Sequence, residues 1–241
     1  MLVAAAVCPH PPLLVPELAA GAGAELDRLR AACDGAVSWL LDVDADLLVV
    51  AGAADAVGPF PEGAWGSLHR YGVDIPVGGG SGEPPSLPLS LTVGRWLLER
   101  QSAVPASTLF FGVTADADAQ LCRQLGATLG DRADRVAMLV MGDASARRSL
   151  KGPAYLDDRA EPYDESVARA LGAADAAALL GLDPALSGDL LAAGRPAWQV
   201  LAGAAVEVPD ASWSGRLLFE DSPYGVTYLV ATWITERAGE A

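Results

Sequence analysis

The 241-residue chain contains no asparagine, one lysine, Lys151, and two histidines, His10 and His69. Two imidazoles cannot furnish two metal ligands and still leave a third histidine for proton transfer, which excludes any mechanism that needs all three. Cysteine is also sparse: Cys8, Cys33 and Cys122 are widely spaced and form no CxxC pair, so a disulfide framework and a cysteine zinc site are both excluded. Basic residues are few, 16 Lys+Arg against 31 Asp+Glu, leaving a net charge of −15 and a pI near 4.3. A protein so acidic repels phosphates, and no nucleic-acid partner is expected. Fifteen of the sixteen basic residues are arginine, a bias typical of GC-rich bacterial coding. Long apolar runs are missing as well. Leu47–Ala54 stops at eight residues, where a spanning helix needs about 20, so no membrane segment is expected. Met1–Val7 has no basic leader and runs straight into Cys8-Pro9-His10, which fits a buried first strand and a cytoplasmic protein better than a signal peptide.

What is present is a packed composition, 51% hydrophobic and 20% charged with the acids scattered along the chain. The length fits one large domain, residues 1–241. Short apolar runs alternate with amphipathic stretches: strands are predicted at Leu2–Val7, Leu47–Ala51, Val73–Val77, Thr108–Val113 and Val136–Met141, with helices at Glu25–Leu41, Pro88–Arg100 and Asp116–Leu129. That alternation predicts a three-layer α/β/α sandwich around a mostly parallel sheet. The alanine- and leucine-rich stretch 161–205, broken by Gly172, Gly181, Gly188 and Gly194, reads as several short helices inserted on one side. Arg216–Glu220 and Val226–Ile234, joined through Asp221-Ser222-Pro223-Tyr224-Gly225, read as a hairpin on the sheet edge.

Two segments after strands carry polar side chains to the end of the sheet where open α/β folds place ligands. Cys8-Pro9-His10-Pro11-Pro12 follows the first strand, and its prolines stiffen the backbone around His10. Gly142-Asp143-Ala144-Ser145-Ala146-Arg147-Arg148 follows a later strand, with Asp143 placed to accept the amides of Ala144, Ser145 or Ala146 in an Asx turn. The connection Gly52–Gly72 is longer than an ordinary loop and is expected to build part of a site, with Trp65 lining a pocket. The other tryptophans fall in predicted elements and are assigned to the core. Gly78–Gly82 lacks the Gly-Lys-Ser/Thr ending of a phosphate loop and reads as a turn. Ser145 has no histidine base in its segment and no GxSxG context, which argues against acyl transfer.

Taken in order, Cys8-Pro9-His10-Pro11-Pro12, Gly142-Asp143-Ala144-Ser145, Gly152-Pro153-Ala154-Tyr155, Pro162-Tyr163-Asp164 and Pro223-Tyr224-Gly225-Val226-Thr227-Tyr228 resemble the catalytic chains of the class III extradiol ring-cleavage dioxygenases, whose fold the Memo-like proteins share. The resemblance spans His10 to Tyr228. It implies the α/β/α fold, a homodimer, and an iron(II) site of two histidines and one carboxylate that leaves positions open for a catecholate and dioxygen. His10 matches the first ligand. After the second strand, Gly52–Phe60 offers only Asp55, Glu220 is the candidate carboxylate, and His69 is the one other histidine. Ala146 stands at the acid/base histidine position. Residues expected to meet a bound molecule in this cleft are His10, Asp143, Ser145, Arg147 and Tyr155.

Three readings follow: a member that binds a small molecule or a protein partner without ring cleavage; an iron(II) oxygenase using His10, Asp55 or His69, and Glu220; and a hydrolase on the same scaffold. Under the first, Ala146→His alone is expected to leave oxygen consumption with protocatechuate at background, because an acid/base group accelerates a step only after a metal holds substrate and oxygen. An oxygen electrode checks this, and turnover by the single variant would reveal an intact metal site.

Overall fold

The structure, a computed structural model, describes residues 1–19, 26–80, 84–101, 104–105, 107–150, 152–208 and 211–235. Glu25, Ser81, Gly82 and Lys151, which the sequence reading names, lie outside them.

Four runs of Val, Leu, Ala, Phe and Met form the parallel centre of a seven-stranded sheet: β1 (Leu2–Cys8), β2 (Leu47–Ala53), β6 (Thr108–Val113) and β7 (Val136–Met141). Their near-continuous apolar sequences suit strands covered on both faces. Along β7, Val136, Met138 and Val140 face one core while Ala137, Leu139 and Met141 face the other. Helices α2 (Asp27–Leu41) and α3 (Leu89–Arg100) cover one face. On the other lie α4 (Ala119–Gly130), α5 (Ala160–Ala173), α6 (Ala176–Leu180) and α8 (Arg195–Val206), with the short α7 (Pro184–Asp189) joining α6 to α8. The molecule is thus an α/β/α sandwich. The four helices of the 161–205 stretch are not a separate cap: α8 is buried along nearly its whole length and packs on α4 and the sheet.

The chain ends in an antiparallel hairpin, β8 (Trp213–Asp221) and β9 (Tyr228–Thr235), with β9 on β1 and β8 at the sheet edge, as predicted. The strand order is β3-β6-β2-β7-β1-β9-β8, in which β3 (Gly58–Pro59) caps the far edge antiparallel to β6. Of the strand expected over Val73–Val77, only β5 (Pro76–Val77) forms, paired with β4 (Gly66–Ser67) apart from the main sheet. Pro76 has no amide to extend a ladder. A short α1 (Pro16–Ala19) follows the proline segment, which the buried Arg30 of α2 pins by donating to the carbonyls of Leu14 at 2.8 Å and Leu13 at 3.3 Å. Among the described residues no helix is long and apolar enough to cross a membrane.

Helices α4 and α8 approach closely because glycine lines both surfaces. A Cβ on Gly126 would lie 2.1 Å from the carbonyl oxygen of Val200, and one on Gly203 would lie 2.6 Å from the Cα of Arg123. Backbone cannot yield as a side-chain tip can. Gly35, inside α2, has nothing within 4 Å of its would-be Cβ. Gly126→Ala is therefore expected to destabilise by about 1–3 kcal/mol through overpacking. Gly35→Ala is expected to stabilise by about 0.5–1 kcal/mol through helix propensity. Urea denaturation of both variants checks the opposite signs.

Candidate functional site

The insertion of β7 between β2 and β1 sets Gly142-Asp143 directly beside Pro9-His10 at the carboxyl ends of the strands. Gly142 N–H continues the ladder by donating to Cys8 O at 2.9 Å. One residue further on, His10 N–H donates to Asp143 Oδ1 at 2.8 Å, and His10 Nδ1 lies 3.7 Å from the same oxygen. The ring is buried, and Nδ1 has no hydrogen-bond partner. Around this pair the buried thiols of Cys8 and Cys33 are in contact, and burial pushes the Cys33 thiol up. Burial and the Asp143 charge raise the Tyr228 hydroxyl.

The Asx turn expected at Asp143 does not form. Its carboxylate is taken by His10, and the amides it was to cap have other acceptors: Ala144 N–H donates to Thr227 O at 3.0 Å, Ser145 N–H to Asp164 Oδ1 at 2.9 Å, and Ala146 N–H to Leu190 O at 2.9 Å. Ser145, expected to meet a bound molecule, is turned inward: it is fully buried, and its hydroxyl donates to Asp164 Oδ2 at 2.6 Å. Asp164, from the Pro-Tyr-Asp motif on α5, also accepts the Thr227 hydroxyl and lies 4.0 Å from Arg148 Nε. Arg148 bonds Glu161 at 2.7 Å and holds that carboxyl below its ordinary range. Local sequence assigns no role to Asp164 or Thr227. The Pro-Tyr-Asp motif is the available signal, but no spacing rule links it to Ser145.

Tyr155 departs from expectation as well. Its side chain is 88% exposed, and its carbonyl accepts from Arg147 at 3.3 Å. Arg147 is half-buried with Nε lacking a partner. Ala146, where the resemblance implies the acid/base histidine, is packed away with its amide on the Leu190 carbonyl.

The expected ligands His10, Asp55 and Glu220 are not brought together. Asp55 lies just beyond β2, whereas Glu220 is on β8, opposite Leu229 and in a shallow groove with Glu165, Arg169 and Leu217. Strands β2 and β8 are four positions apart, on the order of 19 Å at about 4.8 Å per strand. Metal bonds are only about 2 Å long. Among the described residues no three His, Cys, Asp or Glu are placed to hold a metal ion, and the residues present do not fit the iron(II) that the resemblance implies.

Asp55 and His69 do meet in one place, a groove of about 670 Å³ at the end of β2. The long connection contributes Phe60, Trp65 and Tyr71 to its lining, and the segment before α3 contributes Pro85, Leu87 and Pro88. Trp65 therefore lines a pocket, as its loop position predicts. Ionisable groups sit at the rim: His69 Nδ1 is 3.9 Å from Asp74 Oδ1, both well exposed. Arg95 of α3 braces the connection by donating to Ala64 O at 2.7 Å. His10 and Asp143 are not part of this lining.

No protein-family model matches the chain, and no curated protein matches it. Among solved structures, the crystal structure of uncharacterized protein JW3007 from Escherichia coli K12 is similar, with a TM-score of 0.55 at 14% identity over 96% of this chain and 99% of that one. That likeness shows the shared fold.

Burial raises the Asp164 carboxyl, and hydrogen bonds from Ser145 and Thr227 pull it partly back. A carboxyl whose folded pKa is raised contributes stability that is complete below its unfolded pKa and lost as pH rises through the folded one. Compared with Asp164→Asn, the native protein should be most stable at acid pH and lose that advantage as pH climbs from about 3.9. Asp164→Ala, which strands the amide and hydroxyl of Ser145 and leaves the Thr227 hydroxyl with Ser222 alone, should cost on the order of 3 kcal/mol. Denaturant titrations of all three proteins across pH check both statements.

Proposed function

We propose that the protein binds a small organic molecule with a flat apolar part in the groove beyond β2, on an extradiol-dioxygenase-like scaffold and without metal-dependent ring cleavage. The observation that carries this reading is the groove itself, a concavity of ligand size whose lining includes Phe60, Trp65 and Tyr71 together with the exposed polar groups His69 and Asp74. Aromatic faces supply contact area at little cost in side-chain freedom, and the polar groups orient what they hold. Its place also favours the reading, since open α/β sheets take ligands at the carboxyl ends of their strands. The oxygenase alternative needs His10, Asp55 or His69, and Glu220 on one ion, and the separation of the groove that Asp55 and His69 line from Glu220 on β8 argues against it.

Screening a library of aromatic fragments by saturation-transfer NMR tests the proposal. Hits should compete for one site, and Trp65→Ala should weaken them about tenfold or more, the loss of about 1.4 kcal/mol of stacking. Absence of hits, or hits indifferent to Trp65→Ala, would overturn it. Oxygen uptake with catechols and added iron(II) would restore the oxygenase reading.

A further inference from the structure

Outside the groove, a second constrained polar pair is His10 with Asp143. We propose that Asp143 fixes His10 as the Nδ1-protonated imidazole, leaving the Nε2 lone pair as acceptor for a hydroxyl or amide donor at the strand ends, with no metal ion involved. This inference does not rest on the groove, because neither residue lines it.

Three observations converge. Asp143 Oδ1 is held in place by the backbone N–H of His10 at 2.8 Å, so the carboxylate cannot swing away. The His10 side chain is 9% exposed, and its Nδ1 is buried without a hydrogen-bond partner. The charged group beside that nitrogen is the same Asp143 oxygen, 3.7 Å away. With the proton on Nε2, the Nδ1 lone pair would face a carboxylate lone pair where water does not reach, a repulsive arrangement with both groups accepting. Moving the proton to Nδ1 turns the contact into attraction. The separation of 3.7 Å is about 0.8 Å longer than an ordinary hydrogen bond of about 2.9 Å, so the contact is an electrostatic one at this distance. A histidine tautomer is set by the bond its other nitrogen makes, so fixing Nδ1–H leaves the acceptor at Nε2. Asp143 is thus a positioning residue.

The scarcity of histidine makes this directly observable. In uniformly 15N-labelled full-length protein, long-range 1H–15N correlation spectra contain two imidazoles, and His69→Gln assigns them. His69 serves as the reference: its Nδ1 also lies 3.9 Å from a carboxylate, Asp74, but both side chains are open to water, 79% and 96% exposed, so in an Asp74→Ala background it should show the Nε2–H majority of a solvated imidazole. His10 should show the reverse, a protonated Nδ1 and a bare Nε2. Asp143→Ala should return His10 to the reference pattern, and Asp143→Asn, which keeps an acceptor oxygen, should preserve the Nδ1 proton. Equimolar zinc(II) should leave the His10 nitrogens unmoved. An Nε2-protonated His10 in the native protein, an unchanged tautomer in a folded Asp143→Ala variant, or zinc-induced shifts at His10 would each overturn the proposal. Should Asp143→Ala fail to fold, the native spectrum alone decides.

Discussion

A single buried carboxylate organises the functional end of this molecule. Asp164 is 1% exposed, and a charge so placed is tolerated only if nearly every lone pair is used. Its partners come from two other parts of the chain: the amide and hydroxyl of Ser145, after β7, and the hydroxyl of Thr227, in the hairpin turn. The same two segments also form a short backbone ladder, Ala144 N–H to Thr227 O and Thr227 N–H to Ser145 O. Asp164 therefore joins α5, the end of β7 and the terminal hairpin, elements that meet nowhere in sequence. Arg148, 4.0 Å from the carboxylate and bound to Glu161 beyond it, supplies the compensating positive charge at the edge of the network.

The consequence for function comes from the direction in which each segment is thereby held. With Ser145 turned inward to Asp164, the backbone ahead of it presents Asp143 outward along the strand ends, where it reaches His10. On the other side, β7 separates the end of β2 from the end of β1, so the connection leaving β2 folds over α3. Two sites of unlike character result: a dry imidazole–carboxylate pair between β1 and β7, and an aromatic-lined groove beyond β2. A single ion cannot span both.

The sheet was legible in the sequence because β1, β2, β6 and β7 are dense apolar runs bounded by polar turns, and the hairpin because Asp-Ser-Pro-Tyr-Gly punctuates two alternating strands. The two-residue strands β3 and β4 were not, since pieces so short and containing glycine or proline leave no periodic trace, and β5 is only the last part of the run expected over Val73–Val77. In the site, the errors share one cause. Local rules assign Asp143 to its own turn, yet its partner is 133 residues away. They leave Asp164 unassigned although it is the acceptor for Ser145, 19 residues earlier. Long-range satisfaction of buried polar groups overrides turn chemistry whenever the turn is pressed against another segment.

Several residues of the motifs behind the family resemblance take part in the same close contacts, although Tyr155 of the Gly-Pro-Ala-Tyr motif stays exposed. Gly142 has no room for a side chain, its would-be Cβ lying 2.4 Å from the Cα of Gly194. Asp143 anchors the His10 backbone, Ser145 and Thr227 satisfy Asp164, and Tyr163 bonds Ser187 at 2.9 Å. Each of these residues makes a contact that holds the fold, whatever is bound beside it. A chain can therefore keep such motifs through the demands of packing and polar satisfaction alone. The reaction would depend on other positions, and at those this chain has Ala146, with no histidine between Gly52 and Phe60. Motif similarity of this kind travels with the scaffold, and chemistry has to be read from the residues that the scaffold leaves free.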